Sequence, residues 1–256
     1  MGYLETKMEI NKIYKIDCIE GLSKQEDNSV QFIFEDPPYN LIGLDVFMDL
    51  RIYLAQVRQR AKHYMRILKY DGSIVVCGRM PVLADVLLIM QEEGFIFTDW
   101  ITWWKVDSIT AKKDGYSTNY EIFIVFRRSP FSKFKHIPVP SKSGNYNAEV
   151  NIGSIWQHCK ISSNHKEGCK HPTQKPIKFL KRFVETFAEE GDLVLDPFMG
   201  SGTTAVACAE LNRDFIGFEI NKEYIEMAEK RLEPILSQKR LSFETQKQED
   251  GNSSQA

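Results

Sequence analysis

Apolar and polar residues along this chain fall into blocks whose period switches repeatedly between that of a strand and that of a helix. Lys12 to Asp17 alternates as a strand and leads into a short helix through Leu22. Val30 to Phe34 is an apolar run rich in β-formers, the pattern of a buried strand, and Leu41 to Leu50 has no clear period. From Arg51 to Leu68 apolar residues fall at 54, 57, 61, 64, 65 and 68, a helical stripe that stops at Tyr70-Asp71-Gly72. Ser73 to Cys77 predicts a buried strand, and Pro81 to Gln91 a helix with proline in its first turn and Gly94 past its end. Phe95 to Lys105 and Tyr120 to Phe126 predict aromatic-rich strands around a polar loop, whereas residues 127 to 170 hold no sustained period. A helix over Ile177 to Glu190, a strand over Leu193 to Leu195, a helix over Thr203 to Leu211, a strand over Phe215 to Phe218 and a helix over Lys222 to Leu236 follow. Strands alternating with helices imply an α/β fold built on a mostly parallel, doubly wound sheet. Residues 1 to 10 read as a flexible leader, 11 to 236 as one domain, and the polar tail 237 to 256 as disordered.

Two of the predicted strands end in the same chemistry. The Val30 strand delivers Glu35-Asp36-Pro37-Pro38-Tyr39-Asn40. Each proline fixes its own φ and lacks an N–H, and Pro38 pushes Pro37 toward an extended conformation. Asp36 then supplies carboxylate oxygens, Pro37 a carbonyl oxygen and Tyr39 a flat face, a cradle for a planar group bearing an NH₂. The Leu193 strand delivers Asp196-Pro197-Phe198-Met199-Gly200-Ser201-Gly202-Thr203-Thr204-Ala205, again an acid and a proline, now with a glycine-rich turn into a helix. Gly200 and Gly202 let backbone approach a ligand, and the N–H groups that open the helix can hold a carboxylate or phosphate. Glu219, at the end of the next strand, stands where an acid grips ribose hydroxyls. These features point to an adenosine-containing cofactor and leave a nicotinamide dinucleotide and S-adenosylmethionine both open.

Composition is that of an ordinary globular chain, 43% hydrophobic and 27% charged over 256 residues. The net charge of −2 hides an uneven distribution: residues 122 to 182 carry twelve Lys and Arg against two acids, so the remainder is strongly acidic. A cationic segment with interleaved Phe131, Phe134, Tyr146 and Trp156 is the footprint of a nucleic-acid groove, with Arg127, Arg128, Lys133, Lys135, Lys142 and Lys160 as candidate contacts. No apolar run has the length of a membrane span, the start lacks a secretory pattern, and five scattered cysteines suit a reduced compartment, so a cytoplasmic setting is expected. His158, Cys159, His165, Cys169 and His171 lie close in sequence but lack C-x-x-C spacing, and no metal is expected.

Asp36-Pro37-Pro38-Tyr39-Asn40, then His171-Pro172-Thr173-Gln174-Lys175-Pro176, then Asp196-Pro197-Phe198 with Gly200-Ser201-Gly202-Thr203-Thr204, together resemble the amino-methylating DNA methyltransferases. Their order, catalytic loop first and cofactor loop last, resembles the β subgroup, whose Rossmann-like sheet is circularly permuted. The resemblance runs from about Lys12 to Leu236. It implies methyl transfer from S-adenosylmethionine to an amino group of a flipped DNA base. It places Asp36, Pro37, Pro38 and Tyr39 in the catalytic loop, with Asn40 beside the DNA. Asp196, Phe198, Gly200, Ser201, Gly202, Thr203 and Thr204 would surround the methionine part. Glu219 would take the ribose, Asp17 and Cys18 would lie near the adenine, and Lys175 would close the pocket. The stretches Trp103-Trp104-Lys105 and Asn119-Tyr120-Glu121 look like the strands beside the target base. In the family a leading Asp favours adenine N6 and a leading Ser cytosine N4, so Asp36 favours adenine in a short recognition sequence, with cytosine N4 as the alternative. The basic 127 to 170 segment would serve target recognition. DNA is the implied partner, and the family also brings a cognate restriction endonuclease and a homodimer into view. Two readings from other classes stay open: a catalytically silent nucleic-acid binder on the same fold, and a nicotinamide-dependent oxidoreductase suggested by the G-x-G-x-x-A turn.

Overall fold

The computed structural model describes residues 7–38, 49–106, 118–135, 138–140, 146–151, 153–161, 165 and 167–253. Tyr39, Asn40 and Lys142 lie outside them. The chain begins with β1 (Lys12–Lys15), α1 (Cys18–Ser23), β2 (Val30–Glu35), α2 (Leu50–Ile67), β3 (Leu68–Gly78), α3 (Val82–Glu92), β4 (Ile96–Lys105) and β5 (Tyr120–Arg127). It continues through β6 (Pro138–Pro140), β7 (Tyr146–Asn151), β8 (Ile155–His158), α4 (Ile177–Phe187), β9 (Leu193–Asp196), α5 (Thr203–Glu210), β10 (Asp214–Glu219) and α6 (Lys222–Ser253).

Eight strands form one sheet in the order β1-β10-β9-β2-β3-β5-β4-β8, in which β5 alone runs against its neighbours. Counted cyclically from β9, the strands β1-β10-β9-β2-β3 have the 3-2-1-4-5 order of a doubly wound nucleotide-binding sheet. The chain therefore carries that topology with its start displaced, as the permuted arrangement requires. From β9 the chain winds one way to β10 and from β2 the other way to β3. The crevice beyond the carboxyl ends of the adjacent pair β9 and β2 is the switch point where such sheets bind ligands.

Helices cover both faces, and each buries a stripe at helical spacing. Tyr53, Val57, Ala61, Tyr64 and Ile67 of α2 pack with residues of α1 and α3 on Ile33, Ile74, Val76 and Phe126. On the other face Phe179, Leu180, Phe183, Val184 and Phe187 of α4 meet Phe32, Phe34 and Phe123. Phe187 stacks on Phe32 at 5.3 Å, and Phe183 meets Phe123 edge-on at 5.3 Å. Burying one such side chain is worth about 2–3 kcal/mol, so this aromatic layer fixes where α4, and with it Lys175 just before it, stands against β2.

Several boundaries differ from the sequence expectation. β3 begins at Leu68 because an irregularity after Val30 lets the Tyr70-Asp71-Gly72 stretch stay inside the strand. Gly72 is needed there, since a Cβ would lie 2.9 Å from the carbonyl oxygens of Gln31 and Lys69. The 127 to 170 segment holds β6, β7 and β8, which are too short for a period to be read. The last helix continues past Leu236 to Ser253, through a stretch rich in Gln, Lys, Arg and Glu whose intrinsic helix preference needs no apolar stripe. Trp103 is a core residue, 2% exposed and edge-on to Phe179, and its indole N–H donates to the His158 carbonyl. Among the described residues no helix is long and apolar enough to cross a membrane.

Candidate active site

Asp36 follows β2 and Asp196 ends β9, so pairing of these strands sets two acids side by side at the switch point. Both line a cleft of about 640 Å³, a volume usual for cofactor-sized ligands. Asp17, Cys18, Lys175, Phe198, Gly200, Ser201, Thr203, Thr204 and Glu219 line it too, as do Pro37 and Pro38. The sequence-predicted cofactor set is therefore assembled in one place from four separate stretches of chain, with one exception. Gly202 stands behind the wall: its φ is +78°, and a Cβ there would come within 2.5 Å of the Ala228 Cβ. Its lack of a side chain lets α5 start hard against α6. Gly200, with φ +49°, does face the cleft, where a Cβ would meet His171 Nε2 at 3.0 Å.

The acids are held by short local bonds. Asp17 caps α1, accepting the Ile19 N–H at 2.9 Å. Glu219 accepts the Gly200 N–H at 2.9 Å and the Asn221 N–H at 2.8 Å, which ties the glycine turn to the end of β10. Asp196 accepts the Phe198 N–H at 2.9 Å and the Thr204 hydroxyl at 2.5 Å. Burial pushes Asp196 up to about 7, with Asp36 and Glu219 adding to the rise and the two hydrogen bonds opposing it. Burial also pushes the Cys18 thiol up to about 12, so it stays protonated.

Beneath Asp36 lies a buried charge network. Lys175, 4% exposed, puts its ammonium 2.5 Å from Asp36 Oδ2 and 3.3 Å from Glu121 Oε2. Burial works to lower the Lys175 pKa, but the carboxylates of Asp36 and Glu121 outweigh it and hold the group above its ordinary value. Glu121 also accepts from Lys105 at 2.5 Å and faces Arg79 at 3.6 Å. Burial opposes its ionisation, yet Lys175, Lys105 and Arg79 together hold it down at about 2. The sequence pointed to Lys105 and Glu121 only as neighbours of the target base and missed Arg79. The available signal was a charged residue at each of three strand ends facing the same edge.

Most of the predicted DNA contacts are elsewhere. Arg127 is level with Ile96, the first residue of β4, and its guanidinium covers the Phe134 ring. Arg128 donates to Asn28 and to the Leu68 carbonyl, Lys133 pairs with Glu189 at 3.0 Å, and the Lys135 N–H donates to the Thr186 carbonyl. These four occupy the opposite edge of the sheet, because the segment leaves an antiparallel strand. Lys160, just past the end of β8, returns to the cleft's edge, since β8 runs parallel to β4.

A family description, DNA methylase, matches residues 30–230. The type II methyltransferase M.HpaI of Haemophilus parainfluenzae is 36% identical over 230 residues, 85% of this chain and 72% of its own. M1.MboII of Moraxella bovis is 32% identical over 252 residues, 86% of this chain and 96% of its own. The crystal structure of an M1.HpyAVI-SAM complex superposes with a TM-score of 0.65 at 27% identity, covering 86% of this chain and 98% of that one. The PvuII DNA methyltransferase, described as cytosine-N4-specific, shares the fold with a TM-score of 0.70 at 20% identity, over 90% and 92% of the two chains. With its permuted sheet, its paired acidic loops and a match that spans both of them, the chain belongs to the N6/N4 DNA methylase family.

Proposed function

We propose that the protein transfers a methyl group from S-adenosylmethionine to the N6 amino group of adenine at a short DNA sequence. The observation that carries this reading is the meeting of the Asp36-Pro37-Pro38 loop and the Asp196 to Thr204 loop in a single cleft, with Lys175 clamped on Asp36. The residues present fit a cofactor that bears positive charge: Asp17, Asp36, Asp196 and Glu219 all line the cleft, and Gly200 leaves space that a Cβ would fill. Glu219 and Asp17 would hold the nucleoside end, and the turn from Phe198 to Thr204 the methionine end. When bound, that cofactor supplies an electrophilic methyl group on a sulfonium.

The chain's own part is positioning. An adenine N6 lone pair is delocalised into its ring, and the carboxylate of Asp36 and the carbonyl of Pro37 accept its N–H bonds, which favours a pyramidal nitrogen. Lys175 fixes the carboxylate that does this, and the buried Lys175–Glu121–Lys105 chain fixes Lys175. Most of the rate gain in such a site comes from orientation and fixed charge. A base must leave the duplex to reach this depth. Tyr39, adjacent to the described loop, is proposed to stack on it. Adenine is favoured because the loop opens with Asp36. DNA phosphates would be met at the cleft's edge, where Lys160 stands.

Incubation with labelled S-adenosylmethionine and mixed-sequence DNA, then digestion to nucleosides, tests the proposal. N6-methyladenine is expected. N4-methylcytosine would overturn the choice of base, and absence of label in duplex and single-stranded DNA would overturn the activity and favour a silent binder.

A further inference from the structure

Arg60 is a charged residue in the middle of the buried stripe of α2, and it is 3% exposed. A guanidinium taken that far from water costs several kcal/mol unless its partners are good. Its Nε donates to Glu35 Oε1 at 2.8 Å, and the Glu35 side chain is equally buried. Glu35 closes β2 and is joined by one peptide bond to Asp36. The central carbon of the same guanidinium stands over the Phe198 ring, 5.2 Å from its centroid, and over the Tyr53 ring at 5.9 Å. Phe198 sits in the turn after β9, and its N–H is one of the two donors that hold Asp196. One buried cation therefore touches the residue that precedes the catalytic acid and the ring beside the cofactor-loop acid.

As a source of stability such a pair is poor, because packed apolar side chains of the same volume serve as well or better. What the pair adds is direction. A planar guanidinium fixes a carboxylate through an aligned hydrogen bond and an aromatic ring through its face, and a lysine ammonium cannot do both. A further donor, Arg60 Nη2, is buried without a hydrogen-bond partner among the described residues. Arg60 also helps line a small void of about 10 Å³ between the Asp36 loop, α2 and α3, with Glu35 and Pro37 among its other walls.

We propose that Arg60 is a positioning residue that ties the Asp36 loop to the Asp196 loop, so that the base-holding groups and the cofactor pocket are set from one point. The inference rests on the methyl-transfer reading above and names residues that reading does not use. Its test compares wild type with Arg60→Lys and with the double variant Glu35→Gln/Arg60→Met, which leaves no unpaired charge in the core. Cofactor binding and labelled transfer are measured first on the wild type. Their absence removes the methyl-transfer reading and the inference with it. With an active wild type, the double variant is expected to melt near it, to bind S-adenosylmethionine about tenfold more weakly, and to lose kcat by about a hundredfold. KM for DNA is expected to stay within about twofold, because uniform binding is untouched. Arg60→Lys, which keeps the charge and loses the planar face, should fall between the two. A folded double variant with wild-type cofactor affinity and kcat overturns the inference and leaves the methyl-transfer reading standing. Should the double variant fail to fold, Arg60→Lys decides by the same readouts, and wild-type values for it overturn the inference.

Discussion

Replacing Lys175 by Met removes the ammonium that stands between two buried carboxylates. The side chain of Lys175 is 4% exposed, that of Glu121 5% and that of Asp36 17%. Breaking a buried pair from one side costs about 3–5 kcal/mol, because the remaining charge has lost its partner and not its desolvation. The low end applies here, about 3 kcal/mol, since Glu121 keeps Lys105 and Arg79 and Asp36 keeps some contact with water. Urea unfolding at pH 8 measures the loss. The acid limb of the stability curve gives a second signature. Glu121 is held at about 2, against an ordinary value of 4.5, by Lys175 together with Lys105 and Arg79. A carboxylate whose folded value is depressed contributes stability above its unfolded value and loses it as pH falls toward the folded one. Without Lys175 the folded value rises, so the variant's acid loss begins near pH 4.5 as in the wild type but ends at a higher pH and is smaller, and the acid-sensitive window narrows. Methyl transfer should fall by at least about a hundredfold, as expected for a misoriented group at the reacting atoms. A Lys175→Met protein with stability within about 0.5 kcal/mol of wild type, an unchanged acid limb and normal turnover would show that Asp36 is held by something else.

Asp196, raised to about 7, makes the native state hold a proton that the unfolded chain has given up. Its contribution to stability therefore declines as pH rises from about 4 to 7, by at most about 1.4 kcal/mol per unit. Urea midpoints of Asp196→Asn at several pH values should show that decline removed, and equal slopes in both proteins would refute the assignment. Gly200→Ala forces a side chain into a positive φ and toward His171, so a stability loss of about 1 kcal/mol should accompany a larger loss of cofactor affinity by calorimetry. Gly202→Ala should show the reverse balance, unfolding earlier by about 1–3 kcal/mol through overpacking against Ala228. Lys160→Gln should reduce the slope of log affinity for DNA against log salt by about 1, whereas Arg128→Gln and Lys133→Gln should leave it unchanged.

The sequence made the sheet legible because its strands are buried on both faces and their loops carry motif chemistry. Val30 to Phe34 and Leu193 to Leu195 read as continuous apolar runs, and they form adjacent interior strands of the sheet. The edge strand β8 was not legible: it buries Trp156 but leaves Ile155 72% exposed, so four residues carry no alternation that could be trusted. The cofactor residues could be gathered because glycine and acid at a strand end have local causes. The Lys175–Glu121–Lys105 network and the Arg60–Glu35 pair could not, since each unites residues far apart in sequence. A charge inside an apolar stripe, as at Arg60, or at the end of a buried strand, as at Glu35, was the trace they left.

The density of Lys and Arg between 122 and 182 suggested a continuous basic groove, and strand direction explains why the structure divides it. β5 runs against the sheet, so the chain leaves it at the edge where the parallel strands begin, and Arg127 to Lys135 stand there, Lys133 beside Asp71, Glu189 and Asp192, Arg128 bonded to Asn28 and the Leu68 carbonyl, and Arg127 over the Phe134 ring. A cation already paired with carboxylates, as Lys133 is, releases few counterions when a polyanion approaches. β8 then runs with β4, which returns the chain to the edge that holds Lys105, Glu121 and the cleft. Lys160 and Lys170 follow β8, and Lys170 directly precedes His171 on the cleft wall. On the proposed reading, a duplex that delivers a base to Asp36 lies along that edge and meets the cations after β8, and the salt slope of Lys160→Gln against that of Lys133→Gln separates the two edges directly.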